Sequence, residues 1–364
     1  MKKIINVVGA RPNFMKMAPI FRQMQNHNST FNPVLLHTGQ HYDERMSKFF
    51  FEDLEMPEPE IYLGVGSGSH AEQTAKIMVE FENVCQKEKP DLVVVVGDVN
   101  STMACSIVAS KLWIPVAHVE AGLRSFDRQM PEEINRLVTD ALSDYLFISE
   151  KSGLDNLRKE GIAKDKMHIV GNVMIDSLVH FLEKADASNV IKKYKLKNKE
   201  YVLVTLHRPS NVDSAEDFKK ILNAFEVIQK DIPIIFPIHP RAEKNIDLFG
   251  LRNQVNHMHN LILTPPLGYL DFIQLEKNAR FVITDSGGLQ EETTFLGIPC
   301  LTVRKNTERP VTVEIGTNEV VGTETQKIID SAHSILSSQW KKGKIPEYWD
   351  GQTAKRIIEI LEDV

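Results

Sequence analysis

What most constrains this chain is a repeated alternation of short aliphatic runs with helical patterns. Ile4–Val8, Val34–His37, Leu92–Val96, Val116–Val119, Tyr145–Ile148 and Met167–Val170 read as strands, each followed by a turn or by apolar residues at helical spacing. A second set follows in Tyr201–Thr205, Ile234–Ile238, Leu261–Leu263, Phe281–Thr284 and Cys300–Val303. Nearly continuous Val/Ile/Leu runs are the pattern of parallel strands covered on both faces. Strand–helix alternation implies right-handed crossovers and a doubly wound sheet. The pattern occurs twice, and 364 residues exceed one ordinary core. The expected fold class is therefore α/β, with two Rossmann-like doubly wound parallel-sheet domains facing a cleft. The boundary is read at Gly171–Val173, which gives an N-terminal domain of 1–172 and a C-terminal domain of 173–351. The last helical pattern, Thr353–Leu361 within 352–364, is expected to pack back on the first domain.

Composition narrows the partners. A net charge of −6 argues against general binding to nucleic acid or anionic membranes. No run approaches the roughly 18 apolar residues of a membrane span, so no membrane insertion is expected. The apolar run after Lys2 and Lys3 is too short for a signal peptide. Cys85, Cys105 and Cys300 are widely spaced and odd in number, which fits neither a metal site nor a disulfide framework. They are expected to be packing residues in a reducing cytoplasm.

Polar residues cluster just past the strands, where open α/β sheets bind ligands. In order they are Arg11, Gln40 with His41, Asp98, Glu120, His207 with Arg208, His239 with Arg241, Asp285 with Ser286, and Arg304. The stretch 116–136, VAHVEAGLRSFDRQMPEEINR, places Glu120 and Glu132 on either side of a cation-rich loop. Carboxylates beside arginines suit proton transfer next to an anionic group. Asp98 in GDVNST reads as a helix cap or as a base near Glu120. Lys16 reads as a solvated helix lysine or as a cation aimed at the ligand. In TDSGGLQEE, Ser286, Gly287 and Gly288 open a helix, whose free amides and dipole would favour an anion. The alternative is that Asp285 or Ser286 merely caps that helix. Glu292, in the same helix, is in reach of ribose hydroxyls. No G-x-G-x-x-G or Walker-type loop follows either first strand, which argues against nicotinamide or ATP.

GARPNFMKMAPI, GDVNST, HVEAGLRSF, MPEEINR, TLHRPSN, PIHPR, TDSGGLQEE and NTERP occur in this order over essentially the whole chain. The chain thereby resembles the non-hydrolysing UDP-N-acetylglucosamine 2-epimerases of bacteria and archaea. The resemblance implies a GT-B fold, a UDP-sugar substrate, no redox cofactor, no metal and a homodimer. It implies reversible inversion at carbon 2: UDP is eliminated as the C2 proton leaves, giving 2-acetamidoglucal, and UDP then re-adds with protonation on the opposite face. It assigns Asp98, Glu120, Glu132 and His207 to catalysis. It assigns Arg11, Lys16, Arg136, Arg208, His239, Phe272, Ser286, Gly287, Gly288, Glu292 and Arg309 to the UDP-sugar. Phe272 is the expected neighbour of the uracil. Gln40 and His41 match part of a second, activating substrate site, but LGVGSGSHAEQT (63–74) lacks the arginine that site uses.

Three rival readings share these motifs. A hydrolysing 2-epimerase would release UDP and free N-acetylmannosamine. A GT-B glycosyltransferase would need an acceptor face, which the N-terminal half does not display. A non-catalytic nucleotide-sugar sensor would have no need of Asp98, Glu120, Glu132 and His207 together.

Overall fold

A computed structural model describes residues 1–39 and 54–363. Gln40 and His41 lie outside the described residues, as does the side chain of Arg11. The chain divides into two compact units, Met1–Val179 with Glu347–Val364, and His180–Pro346.

The first unit is built on β1 (Lys2–Val8), β2 (Phe31–His37), β3 (Ile61–Tyr62), β4 (Leu92–Val96), β5 (Val116–Ala121), β6 (Tyr145–Ile148) and β7 (Met167–Ile169). They form one parallel sheet in the order β3-β2-β1-β4-β5-β6-β7. The second unit holds β8 (Val202–Thr205), β9 (Ile234–Pro237), β10 (Leu261–Thr264), β11 (Phe281–Thr284), β12 (Cys300–Thr302) and β13 (Asn318–Val320). Its parallel sheet runs β10-β9-β8-β11-β12-β13. Both are doubly wound α/β sheets, as the strand patterns predict. In each, the chain reverses direction across the sheet beside its first strand, so a switch point lies between β1 and β4 and another between β8 and β11.

Burial explains the continuous aliphatic runs. All five residues of β4, LVVVV, are buried. Along β8, Val202 and Val204 enter one core, whereas Leu203 enters another with Tyr201 and Leu275. Successive side chains point to opposite faces, so a strand covered on both sides must be apolar throughout. The sequence reading misses β3 and β13. Each is an edge strand of two or three residues, with sequences IY and NEV that carry no run.

The C-terminal return is fixed by specific bonds. Trp349, 1% exposed, donates from Nε1 to the Ser149 carbonyl at 3.0 Å. Asp176 accepts the first amides of helix Thr353–Glu362, from Thr353 at 3.1 Å and Ala354 at 2.7 Å. That helix packs on helix Arg11–Asn26. The first unit therefore runs past 172 to Val179 and resumes at Glu347 rather than 352. The three cysteines are buried free thiols.

Candidate active site

In the first unit the site is built at the β1/β4 switch point. The turn after β1 is held by Asn13, whose Oδ1 accepts the amides of Gly9 (3.2 Å) and Ala10 (3.1 Å). Its Nδ2 donates to the Val96 carbonyl at 3.0 Å, tying that turn to the end of β4. Lys16, one helical turn on, is buried and forms an ion pair with Glu120. Glu120 sits at an irregularity in the β5–β6 pairing with φ +75°. A left-handed glutamate is costly unless its surroundings impose it, and such bulges re-aim side chains at functional sites. Gly97 (φ +68°) faces the pair; a Cβ there would meet Lys16 Nζ at 3.2 Å and Glu120 Oε2 at 3.5 Å.

Asp98 follows Gly97, and its Oδ2 accepts from Arg136 at 2.6 Å. Arg136 also donates to Glu133 Oε2 at 2.9 Å. Glu133 in turn accepts the amides of Ser125 (2.8 Å) and Phe126 (3.0 Å), which shapes the loop before its own helix. The N-cap of helix Asn100–Lys111 is Val99, with no side-chain cap bond. Asp98 is thus an ion-pair partner rather than a cap. Glu132 is exposed and stands outside this network, about 100° round the helix from Glu133.

Behind these groups His118, on β5, bridges helix Pro131–Leu142 and the turn after β4. Its Nδ1 lies 2.6 Å from Asp140 Oδ1 and its Nε2 lies 2.8 Å from the Gly97 carbonyl. Arg124 binds Asp140 at 2.7 Å and Glu160 at 2.7 Å. Burial would raise the Asp140 carboxyl, but the bonds and charges of His118 and Arg124 outweigh it and hold it below the usual range.

In the second unit the corresponding groups sit at the β8/β11 switch point. Asp285 is fully buried. It accepts the amides of His207 (3.1 Å) and Arg208 (2.9 Å), and its Oδ1 lies 2.9 Å from His207 Nδ1. Burial would raise this carboxyl too, yet the bonds from His207 and Arg208 hold it low. The His207 side chain is 49% exposed. With Nδ1 engaged by Asp285, Nε2 is the nitrogen able to exchange a proton with a ligand.

Helix Gly287–Leu296 starts immediately after, with Ser286 at its N-cap and no side-chain cap bond. The capping alternative is therefore not realised, since Asp285 is spent on His207 and Arg208. The first amides, from Gly287 and Gly288 onward, lack a side-chain acceptor of the capping kind. Arg309 lies against this turn; a Cβ on Gly287 would come 2.7 Å from its Nη1. Arg309 pairs with Glu291 and Glu308, each at 2.7 Å, and Arg304 pairs with Glu308 at 2.7 Å. All four side chains are buried.

Other assigned residues stand apart. His239 caps helix Pro240–Leu248, with Nδ1 accepting the Arg241 amide at 3.2 Å. Phe272 is partly buried against the core beside β8 and β11. Glu292 is 3% exposed and accepts from Tyr269 Oη at 3.1 Å. The sequence reading misses Glu133, His118 and Asp140, and the pairing of Asp285 with His207. His118 was detectable, because it precedes Glu120 by two and a strand repeats every two residues. Among the described residues no group of His, Cys, Asp and Glu is arranged to hold a metal ion, and no helix is long and apolar enough to cross a membrane.

Comparison with known proteins places this geometry. The family model of UDP-N-acetylglucosamine 2-epimerase matches residues 22–362. A UDP-N-acetylglucosamine 2-epimerase of Methanococcus maripaludis is 44% identical, covering 99% of this chain and 98% of the relative. A UDP-2,3-diacetamido-2,3-dideoxy-D-glucuronate 2-epimerase of Pseudomonas aeruginosa is 39% identical, covering 99% of each chain. The crystal structure of Methanocaldococcus jannaschii UDP-GlcNAc 2-epimerase in complex with UDP-GlcNAc and UDP superposes with a TM-score of 0.90 at 44% identity, over 100% of both chains. This chain belongs to the UDP-N-acetylglucosamine 2-epimerase family.

Proposed function

We propose that the protein inverts carbon 2 of UDP-N-acetylglucosamine reversibly to UDP-N-acetylmannosamine, or acts likewise on a closely related modified UDP-N-acetyl sugar, without hydrolysis. Such a product would serve surface-polysaccharide synthesis, and the working form is taken to be a cytoplasmic homodimer. The observation that carries the reading is the division of labour. One switch point gathers carboxylates with a buried lysine; the other gathers a histidine, an uncapped helix start and buried arginines.

The C2 hydrogen is not adjacent to a carbonyl, so a base alone would remove it slowly. Departure of UDP must be stabilised where charge develops, on the diphosphate. His207, Arg208, the amides of Gly287 and Gly288, and Arg309 are suited to that role. Asp98 and Glu120, each held by a cation, are the proton-transfer groups, with Glu132 joining them from its exposed position. Protonation on the opposite face with return of UDP completes the inversion. Arg11, Lys16, Arg136 and Ser286 complete the contacts to the sugar nucleotide, Phe272 and His239 lie at its periphery, and Glu292 receives the ribose. The 39% identity to an epimerase of a diacetamido uronate supports keeping modified sugars among the substrates.

Proton NMR of the protein with UDP-N-acetylglucosamine in D2O tests this. The expected result is UDP-N-acetylmannosamine carrying deuterium at C2, with UDP still attached. Free UDP with N-acetylmannosamine would move the assignment to the hydrolysing reaction. Absence of exchange with this sugar and with its modified analogues would overturn the epimerase reading in favour of glycosyl transfer or sensing.

A further inference from the structure

Glu292 faces a second carboxyl to which the proposed chemistry gives no part. Glu276 lies on helix Tyr269–Asn278 and Glu292 on helix Gly287–Leu296. Their exposures are 0% and 3%. The two helices pack on each other, each carboxyl feels the other, and no N–H or O–H donor among the described residues reaches either oxygen of Glu276. Tyr269, also buried, donates to Glu292 Oε1 at 3.1 Å. Among the described residues neither carboxyl has a cationic partner. The other ionisable groups nearby are Glu291, whose carboxylate is engaged by Arg309, and the Cys300 thiol on β12, which feels the charges of Glu276 and Lys341.

Two carboxylates in contact away from water cannot both ionise. A carboxyl–carboxyl hydrogen bond also requires a proton on one of its oxygens. Burial pushes Glu276 well above the usual range, and the charge of Glu292 adds to the effect. Burial likewise pushes Glu292 up to about 7. A lone glutamate at this depth would tend to take up a proton and become a donor. With a proton held on Glu276 and a second donor in Tyr269, Glu292 ionises as pH rises through about 7 and keeps a fixed orientation.

We propose that Glu276 is a positioning residue that holds one proton against Glu292, keeping Glu292 an ionised acceptor aimed at the two hydroxyls of a nucleotide ribose. This rests on the reading of Glu292 as a ribose contact.

The test is calorimetric binding of UDP and of 2′,3′-dideoxy-UDP to the wild type, Glu276→Gln and Glu276→Met between pH 6 and 8.5. The wild type is expected to prefer UDP by at least about tenfold, the scale of one charge-assisted hydrogen bond. Glu276→Met should lose most of that preference while binding the dideoxy analogue as before. Glu276→Gln, whose amide still donates, should retain it. A Glu276→Met variant that keeps the full preference overturns the proposal, as does Glu276→Gln losing it as completely as Met. A wild type without preference for the ribose hydroxyls removes the role of Glu292. A wild type that binds neither nucleotide overturns the nucleotide reading itself, and unfolding then decides the shared proton separately. The folded pair binds a proton that the unfolded chain releases, so wild-type stability should fall as pH rises from about 4.5 through 7. Glu276→Gln should flatten that fall; equal slopes in the two proteins overturn the shared proton.

Discussion

Lys16 and Glu120 show how much a single residue's setting decides. Both are buried, and each is the other's counter-charge. Removing one partner leaves an unpaired charge in the interior, which costs about 3–5 kcal/mol, whereas removing both leaves an apolar contact that is far less costly. Lys16→Met is therefore expected to lower the first unit's unfolding free energy by about that amount. Lys16→Met/Glu120→Leu should recover most of the loss while remaining inactive. Urea unfolding of the single and double variants, read beside epimerisation, checks this. A double variant as unstable as Lys16→Met would mean that the pair's worth lies in shape rather than charge. In sequence Lys16 is one of many helix lysines, and nothing local distinguishes it from a solvated one. Its partner lies 104 positions away, so the pairing became visible only when β1 and β5 were set in one sheet. Glu133 was hidden for a different reason. Pro-Glu-Glu offers two neighbouring carboxylates, and the helix phase alone decides which one turns inward.

At the scale of elements, strand ends and helix starts were readable, and what caps a helix was not. The aliphatic runs located the sheets because both faces are covered, and polar residues follow several of them. Whether Ser286 capped its helix depended on where Asp285 pointed. That in turn depended on the amides of His207 and Arg208, 78 and 77 positions away. The turn itself makes a sharp prediction. Gly287→Ala would place a methyl 2.7 Å from Arg309 Nη1 and 3.0 Å from Glu308 Oε1. Its backbone is ordinary for an L-residue, so the fold should survive while the guanidinium shifts. UDP affinity is expected to fall about tenfold or more, with little change in melting temperature; calorimetry with UDP alongside a thermal scan measures both. Unchanged affinity would remove Arg309 and this helix start from the nucleotide site.

The cap of helix Thr353–Glu362 adds a pH dependence at the same scale. Burial raises Asp176 to about 6, against the pull of the Ala354 and Thr353 amides. Its folded value exceeds its unfolded one, so its contribution is complete below about pH 4 and is lost as pH rises through 6. The loss is on the order of 2–3 kcal/mol. Asp176→Asn should flatten the unfolding free energy between pH 4 and 7, and a wild-type slope in that variant would place the effect elsewhere.

For the whole molecule, the two doubly wound sheets were legible because each repeats the same alternation, but the last stretch of chain was not a simple appendix to the second. Residues 347–364 belong to the first unit. They supply it with Trp349, Ile357, Ile358 and Leu361, each 2% exposed or less. A large apolar side chain buried this fully is worth about 1.5–3 kcal/mol, and a domain's net stability is about 5–15 kcal/mol. Ending the chain at Pro346 strips these side chains, uncaps Asp176 and frees the Ser149 carbonyl from Trp349. The second unit, His180–Pro346, keeps its whole span. The truncated chain is therefore expected to melt in two steps, with the first unit unfolded or nearly so at 25 °C and the second close to its temperature in the intact protein. Hydrogen exchange resolved by peptide separates the cases: rapid exchange in β1, β4 and β5 with protection kept in β8 and β11 is the predicted pattern. Uniform protection would mean that the C-terminal helix is dispensable, and uniform loss would mean that the two units fold as one.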